Sequence, residues 1–135
     1  MFNPKFFLNL AEELKDSPRD NLFESRIRAS IGRSYYSIFL ATRSRIEKLI
    51  KTELENKSNI HKILIDGLKQ SSNNSLAEFG SKLDSLRQYR HQADYRVRTN
   101  LGESIATSSY KLADRLFDNL TTLPDKELKS LFQNV

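Results

Sequence analysis

Residues 35–41 read YYSIFLA, and with the stretch around them, RASIGRSYYSIFLATR at 28–43, they decide the fold. A helix through this segment is apolar almost all round, which a helix tolerates only at the centre of a bundle with partners on several sides. Outward from it, Ile27, Ile31, Tyr35, Ile38, Ile46 and Leu49 recur at three-, four- and eight-residue steps, so the segment predicts one long helix from about 21 to 54. Upstream, Asn3 and Pro4 suit the start of a helix ending before Asp16, Ser17 and Pro18, with Phe7, Leu10, Ala11 and Leu14 as its apolar stripe. Downstream, the pattern predicts a shorter helix over 60–70 capped by Asn59 and one over about 76–97 on Leu76, Phe79, Leu83, Leu86, Ala93 and Val97. Another covers 103–120 on Ile105, Leu112, Ala113, Leu116 and Leu120, and DKELKSLF, opened by Pro124, forms a last short helix. Short connections imply antiparallel neighbours. The expectation is an all-α chain: one domain over 1–135, an up-down antiparallel bundle of four to five main helices plus a short C-terminal helix.

Composition agrees. Four glycines and three prolines in 135 residues leave few forced breaks, which disfavours a many-turned β-fold. A chain of this length buries a core without staples. The absence of cysteine excludes disulfides and thiolate metal sites. Two histidines alone cannot complete a zinc site, so no metal and no cofactor is expected. Lysine and arginine exceed acids by 22 to 17, a net charge of +5 that permits nucleic-acid binding without requiring it. No run of about eighteen apolar residues occurs, and the apolar N-terminal stretch is short and soon reaches acids, unlike a signal peptide. No membrane association and a cytoplasmic location are expected. Glycine-rich phosphate loops and nucleophile elbows are absent.

The chemistry concentrates in SLRQYRHQADYRVR at 85–98. On the fourth helix the seam position after Leu86 is Arg90, a charge on a face that should be buried, so Arg90 needs a partner or a cleft. Asp94 lies four residues on, within reach. Beside this pair runs a second ladder, Arg87, His91 and Tyr95, extended by Arg96 and Arg98. One reading is a cleft in which guanidinium forks hold phosphate and histidine moves protons. The other is a charge ladder on a solvated face. In the long helix Arg33 precedes the tyrosines and pairs with Asp94 or another acid of the fourth helix. Tyr35 and Tyr36 read as core aromatics, Arg43, Arg45 and Lys48 as a solvated face, and His61 as a hydrogen bonder at a helix end.

Three segments in order, RASIGRSYYSIFLATR, NIHKILIDGL at 59–68 and LRQYRHQADY at 86–95, resemble a prokaryotic HEPN domain (higher eukaryotes and prokaryotes nucleotide-binding). The resemblance spans about Phe6 to Leu120. It implies a helical bundle that commonly dimerises. Many members are metal-independent ribonucleases, several of them toxins paired with a minimal nucleotidyltransferase antitoxin. In those ribonucleases an arginine and a histidine separated by four to six residues do the chemistry across a dimer. Carried over, Arg87 and His91 become the reactive pair, with Arg90, Asp94, Tyr95 and Arg33 as binding residues; here only three residues separate Arg87 from His91. Members lacking the pair act as nucleotide- or partner-binding modules. In some toxins a tyrosine after the histidine receives nucleotides from the antitoxin, a role Tyr95 would fill. The expected function is therefore an RNA-cleaving homodimer of toxin or defence type, or else a non-catalytic subunit that binds a nucleotide or a nucleotidyltransferase.

Overall fold

A computed structural model describes residues 1–135 as six helices and no strand: α1 (Lys5–Lys15), α2 (Phe23–Ile50), α3 (Ile60–Lys69), α4 (Asn74–Tyr95), α5 (Glu103–Thr122) and α6 (Asp125–Phe132). The predicted all-α bundle is what forms. No helix is long and apolar enough to cross a membrane.

The central place of α2 follows from its all-round burial: Ile27, Ile31, Tyr35, Ile38, Phe39 and Ile46 are closed off from solvent. It packs against α1, α4, α5 and α6. Ser30, Ser34 and Ser37 of α2 are fully buried. Toward α1 the small Ser30 lets the helix come close enough for its hydroxyl to donate to the Ala11 carbonyl at 2.7 Å. On α1 the stripe sits one residue from where periodicity put it. Leu8 and Ala11 are buried, Phe7 and Leu14 are half-buried, and Leu10 faces solvent.

Helix ends show what local chemistry can do. Asn3 Oδ1 accepts from the Lys5 amide at 3.0 Å, satisfying one of α1's free donors. α4 starts two residues earlier than predicted because Asn73 caps it, accepting from the Leu76 amide at 3.1 Å. α2 stops four residues short of the predicted Leu54. Lys51 enters the left-handed region at φ 56°, and Glu47 turns the chain back by accepting from the Leu54 amide at 2.7 Å. Asn59 precedes α3 as expected but makes no side-chain cap; it supplies a left-handed turn at φ 60°.

Two arginines of α2 clasp the bundle. Arg28 donates to the carbonyls of Gln92, Ala93, Arg96 and Thr99, closing the C-terminal end of α4 with the charge its dipole favours. Arg45 does the same for α5, donating to Leu120 and Leu123 and pairing with Asp125. The expectation that Arg45 lies on a solvated face fails here, because the bare carbonyls at the end of a neighbouring helix bind its guanidinium better than water does.

The core is in two parts. A large cluster runs through Tyr35, Phe39, Leu83, Leu86, Leu116 and Phe132, and a small one gathers Ile27, Ile31, Ala93, Leu101 and Ala106. The break between them on α4 falls between Leu86 and Ala93, where the seam position is Arg90.

Candidate functional site

α2 and α4 run antiparallel, with Gly32 beside Asp94 and Tyr36 beside Arg90, and the Arg28 guanidinium over the C-terminal end of α4. α3 joins the pair from one side. Its register against α4 is set by Gly80, whose Cα sits so close to Leu68 and Lys69 that a methyl there would lie 2.7 Å from each. Lys69 bonds Asp84 at 2.9 Å beside it. This hairpin carries the start of α3, and with it His61, up to Arg87 and Arg90.

The residues singled out from sequence divide between two places. Arg90 lies in the seam with its side chain 16% exposed. It donates to the Tyr36 hydroxyl and its Nε lies 3.4 Å from Asp94 Oδ2, an ion pair too poorly aligned to be a hydrogen bond, so that Nε remains buried and unpaired. Arg87 is half-buried and forms no ion pair within the chain; its charge falls on Tyr35 and His61. His91 and Tyr95 sit outside this group. Both are exposed, and their rings lie 4.9 Å apart on the outer edge of α4. The separation has a geometric cause. Each four-residue step on a helix advances by about 40° beyond a full turn, so a ladder beginning near the seam at Arg87 reaches solvent by Tyr95. Arg33 turns the other way: its guanidinium lies 4.8 Å over the Phe7 ring of α1, and Arg28 takes the place beside the end of α4.

His61 belongs to the seam cluster, which sequence reasoning missed. Its Nδ1 is 2.6 Å from the Tyr35 hydroxyl, and its ring stacks on Phe39 with centroids 3.9 Å apart. Burial, and then the charges of Arg87, Arg90 and Arg43, push its pKa down to about 4, so the ring is neutral at pH 7. Burial likewise holds the Tyr35 phenol well above its ordinary range, so it keeps its proton. Tyr35 has no other acceptor, and a buried hydroxyl that kept its proton without donating it would be unsatisfied. Tyr35 therefore donates to Nδ1, and the His61 proton sits on Nε2, which has no protein partner. The only local signal in the sequence was the aromatic pair at 35–36; the rest came from the register of three helices. No three His, Asp or Glu side chains cluster closely enough to hold a metal ion.

No solved structure matches the chain. Among curated proteins it is similar to the uncharacterized protein MJ0628 of Methanocaldococcus jannaschii, 32% identical over 73% of this chain and 66% of that protein. It is also similar to the uncharacterized protein MJ0992 of the same organism, 31% identical over 75% of this chain and 64% of that one. The chain thus spans slightly under two thirds of the length of the curated relatives it matches. The HEPN domain model matches residues 5–123, from the first helix to the end of the fifth, and the chain belongs to that family.

Proposed function

We propose that this HEPN domain acts on RNA as a homodimeric, metal-independent endoribonuclease of toxin or defence type. The observation that carries the reading is Arg87: a half-buried guanidinium with no carboxylate partner, one turn before an exposed histidine on the same helix. A guanidinium in that state is available to a phosphodiester. His91 takes the proton of a ribose 2′-hydroxyl. The oxygen attacks the adjacent phosphorus, and the 5′-oxygen of the next nucleotide leaves, taking up a proton. The products are a 2′,3′-cyclic phosphate and a 5′-hydroxyl end. Arg87 offsets the extra charge on the phosphoryl oxygens as the bond forms. Exposed Tyr95 and Val97 beside this edge, 64% and 84% accessible, suit coverage by a second copy. The test is cleavage of mixed RNA substrates in the presence of chelator. Wild-type protein cuts, and His91→Ala with an unchanged helical spectrum does not. Intact RNA in both reactions refutes the proposal.

A second reading rests on Tyr95. Its exposed ring at the C-terminal end of α4 is open to a modifying enzyme, and three intervening residues bring His91 closer to Arg87 than in the active family pattern. On this reading the chain is a non-catalytic subunit that binds a nucleotide or a minimal nucleotidyltransferase. Co-purification with such a partner, and a nucleotide-sized mass increase lost in Tyr95→Phe, would support it; neither event with an active partner present would remove it.

A further inference from the structure

Seven large apolar side chains stand exposed on the molecule, and four of them, Met1, Phe2, Phe6 and Leu10, fall within the first ten residues. At about 100° per residue, Phe6 projects from the side of α1 opposite the buried Leu8 and Ala11, with Leu10 one turn on and Glu13 two turns on. The stripe is held in place. Asn3 ties down the first turn, the Phe2 ring rests 4.8 Å from that of Phe7, and Ser30 of α2 grips the Ala11 carbonyl. An aromatic side chain presents about 150–250 Å², so Phe2 at 52% exposure and Phe6 at 60% alone leave roughly 200 Å² of apolar surface in water. Met1 and Leu10 carry the patch into the range of a few hundred Å² that marks an interaction site.

Charge decides what covers it. The first turn of α1 has Lys5 and no acid, and Lys5 reaches Asp114 only at 4.0 Å. At the other end Lys15 is taken up by Asp16 at 3.1 Å, which leaves exposed Glu12 and Glu13 as net negative charge. Those two carboxylates lie toward the negative end of their own helix dipole, the unfavourable place for them. A second α1 laid end for end sets them against its positive N-terminal end and its Lys5, and sets its own acids against the first helix in return. The stripe is complementary to itself in the antiparallel sense, as a two-fold contact requires.

We propose that α1 is a self-association surface. Two copies pack α1 against α1 antiparallel, with each Phe6 beside the partner copy's Leu10 position and each Glu13 near the N-terminal end of the opposing helix. An 11-residue helix is about 16 Å long, so the contact is small for a permanent dimer and its dissociation constant falls roughly in the micromolar range. The surface lies on a different helix from His91 and Tyr95 and does not rest on the cleavage reading. A chain that used both α1 and the Tyr95 edge would assemble beyond a dimer, since two two-fold contacts on one chain link pairs together.

The chain has no cysteine, so a single introduced one reports position cleanly. Asn9 is exposed and lies where the paired helices would cross. Asn9→Cys is expected to give a disulfide-linked dimer under mild oxidant, because the two Cα atoms come within the about 7 Å that a disulfide spans. Val97→Cys probes the Tyr95 edge in the same way. Sedimentation equilibrium of the full chain then gives the dissociation constant. Phe6→Glu should raise it at least about tenfold with an unchanged helical spectrum, since Phe6 is an anchor of the contact and touches little of the core. Glu13→Lys should raise it too, more at low salt than at high. An Asn9→Cys protein that stays monomeric, or a dissociation constant unmoved by both Phe6→Glu and Glu13→Lys, overturns the proposal. So does a wild-type chain that remains monomeric and floats with anionic lipid vesicles, which gives the stripe to a membrane surface. A cross-link at Asn9 alone upholds this contact independently of the Tyr95 edge; one at Val97 alone overturns it.

Discussion

Replacing Gly80 by alanine and Gly32 by alanine makes the same chemical change inside two helices of one bundle, and the structure assigns the two opposite signs. Both gain in helix propensity, about 1 kcal/mol for alanine over glycine in a helix interior. At Gly32 nothing opposes the gain, because the nearest atom to the new Cβ is Asp94 Oδ1 at 3.9 Å, an ordinary contact. At Gly80 the Cβ would lie 2.7 Å from the Leu68 Cβ, 2.7 Å from the Lys69 amide nitrogen and 3.0 Å from the Leu68 carbonyl carbon. Two of those atoms are backbone, so no rotamer relieves the clash, and α3 must retreat by about 1 Å to reach normal separation. Overpacking of this kind costs about 1–3 kcal/mol, and more where backbone must move. Net of propensity, Gly80→Ala should lose up to about 2 kcal/mol and up to about 4–8 °C of Tm, while Gly32→Ala gains up to about 1 kcal/mol. Denaturant unfolding of the wild type and both variants, at matched slope, measures the difference directly. A Gly80→Ala protein as stable as Gly32→Ala would refute the register assigned to α3, and with it the approach of His61 to Arg87. A retreat of α3 also separates that pair, so the His61 resonance should change in Gly80→Ala and not in Gly32→Ala.

Arg28→Met removes a charged donor from four carbonyls at the end of α4, at a cost of about 2 kcal/mol; hydrogen exchange should accelerate at Arg96 and Thr99 before the rest of the helix. Tyr36→Phe deprives Arg90 of its hydroxyl acceptor in the seam and should cost about 1–3 kcal/mol in denaturant unfolding. Lys51→Gly relieves a left-handed residue at the end of α2 and should raise stability by up to about 1 kcal/mol, seen as a higher unfolding midpoint. His61 binds its proton less well folded, at about 4, than unfolded, at its ordinary 6.5. The unfolded state therefore takes up more protons between these values, and stability is full above about 6.5 and declines as pH falls toward 4. His61→Asn should flatten that decline, and an identical pH profile in the variant would show that the ring is not held neutral.

Much of the fold was legible without coordinates. The all-round apolar run at 35–41 demanded a central helix, and periodicity located all six helices. Among the ends that moved, those at Lys51 and Asn73 turned on a side chain reaching over several residues. Less of the candidate site could be read. The interruption of the seam at Arg90 was visible, since a charge at a heptad position is conspicuous in one dimension. Its partner Tyr36 was not, lying 54 residues away on a helix whose register is set by packing. The ladder Arg87, His91, Tyr95 looked like one face because four-residue spacing implies proximity. It could not show that proximity to one another differs from proximity to the core, which the 40° drift decides.

From its sequence alone this chain is a helical bundle with cations driven into one seam, because helix-forming periodicity and the cost of burying charge are local or nearly local facts. Which cations meet which histidine, which arginine closes which helix and where α3 stops against α4 were settled by tertiary packing. Those contacts join residues far apart in sequence, and the register that brings them together depends on how closely two backbones approach at positions such as Gly80 and Ser30, a quantity no single segment contains.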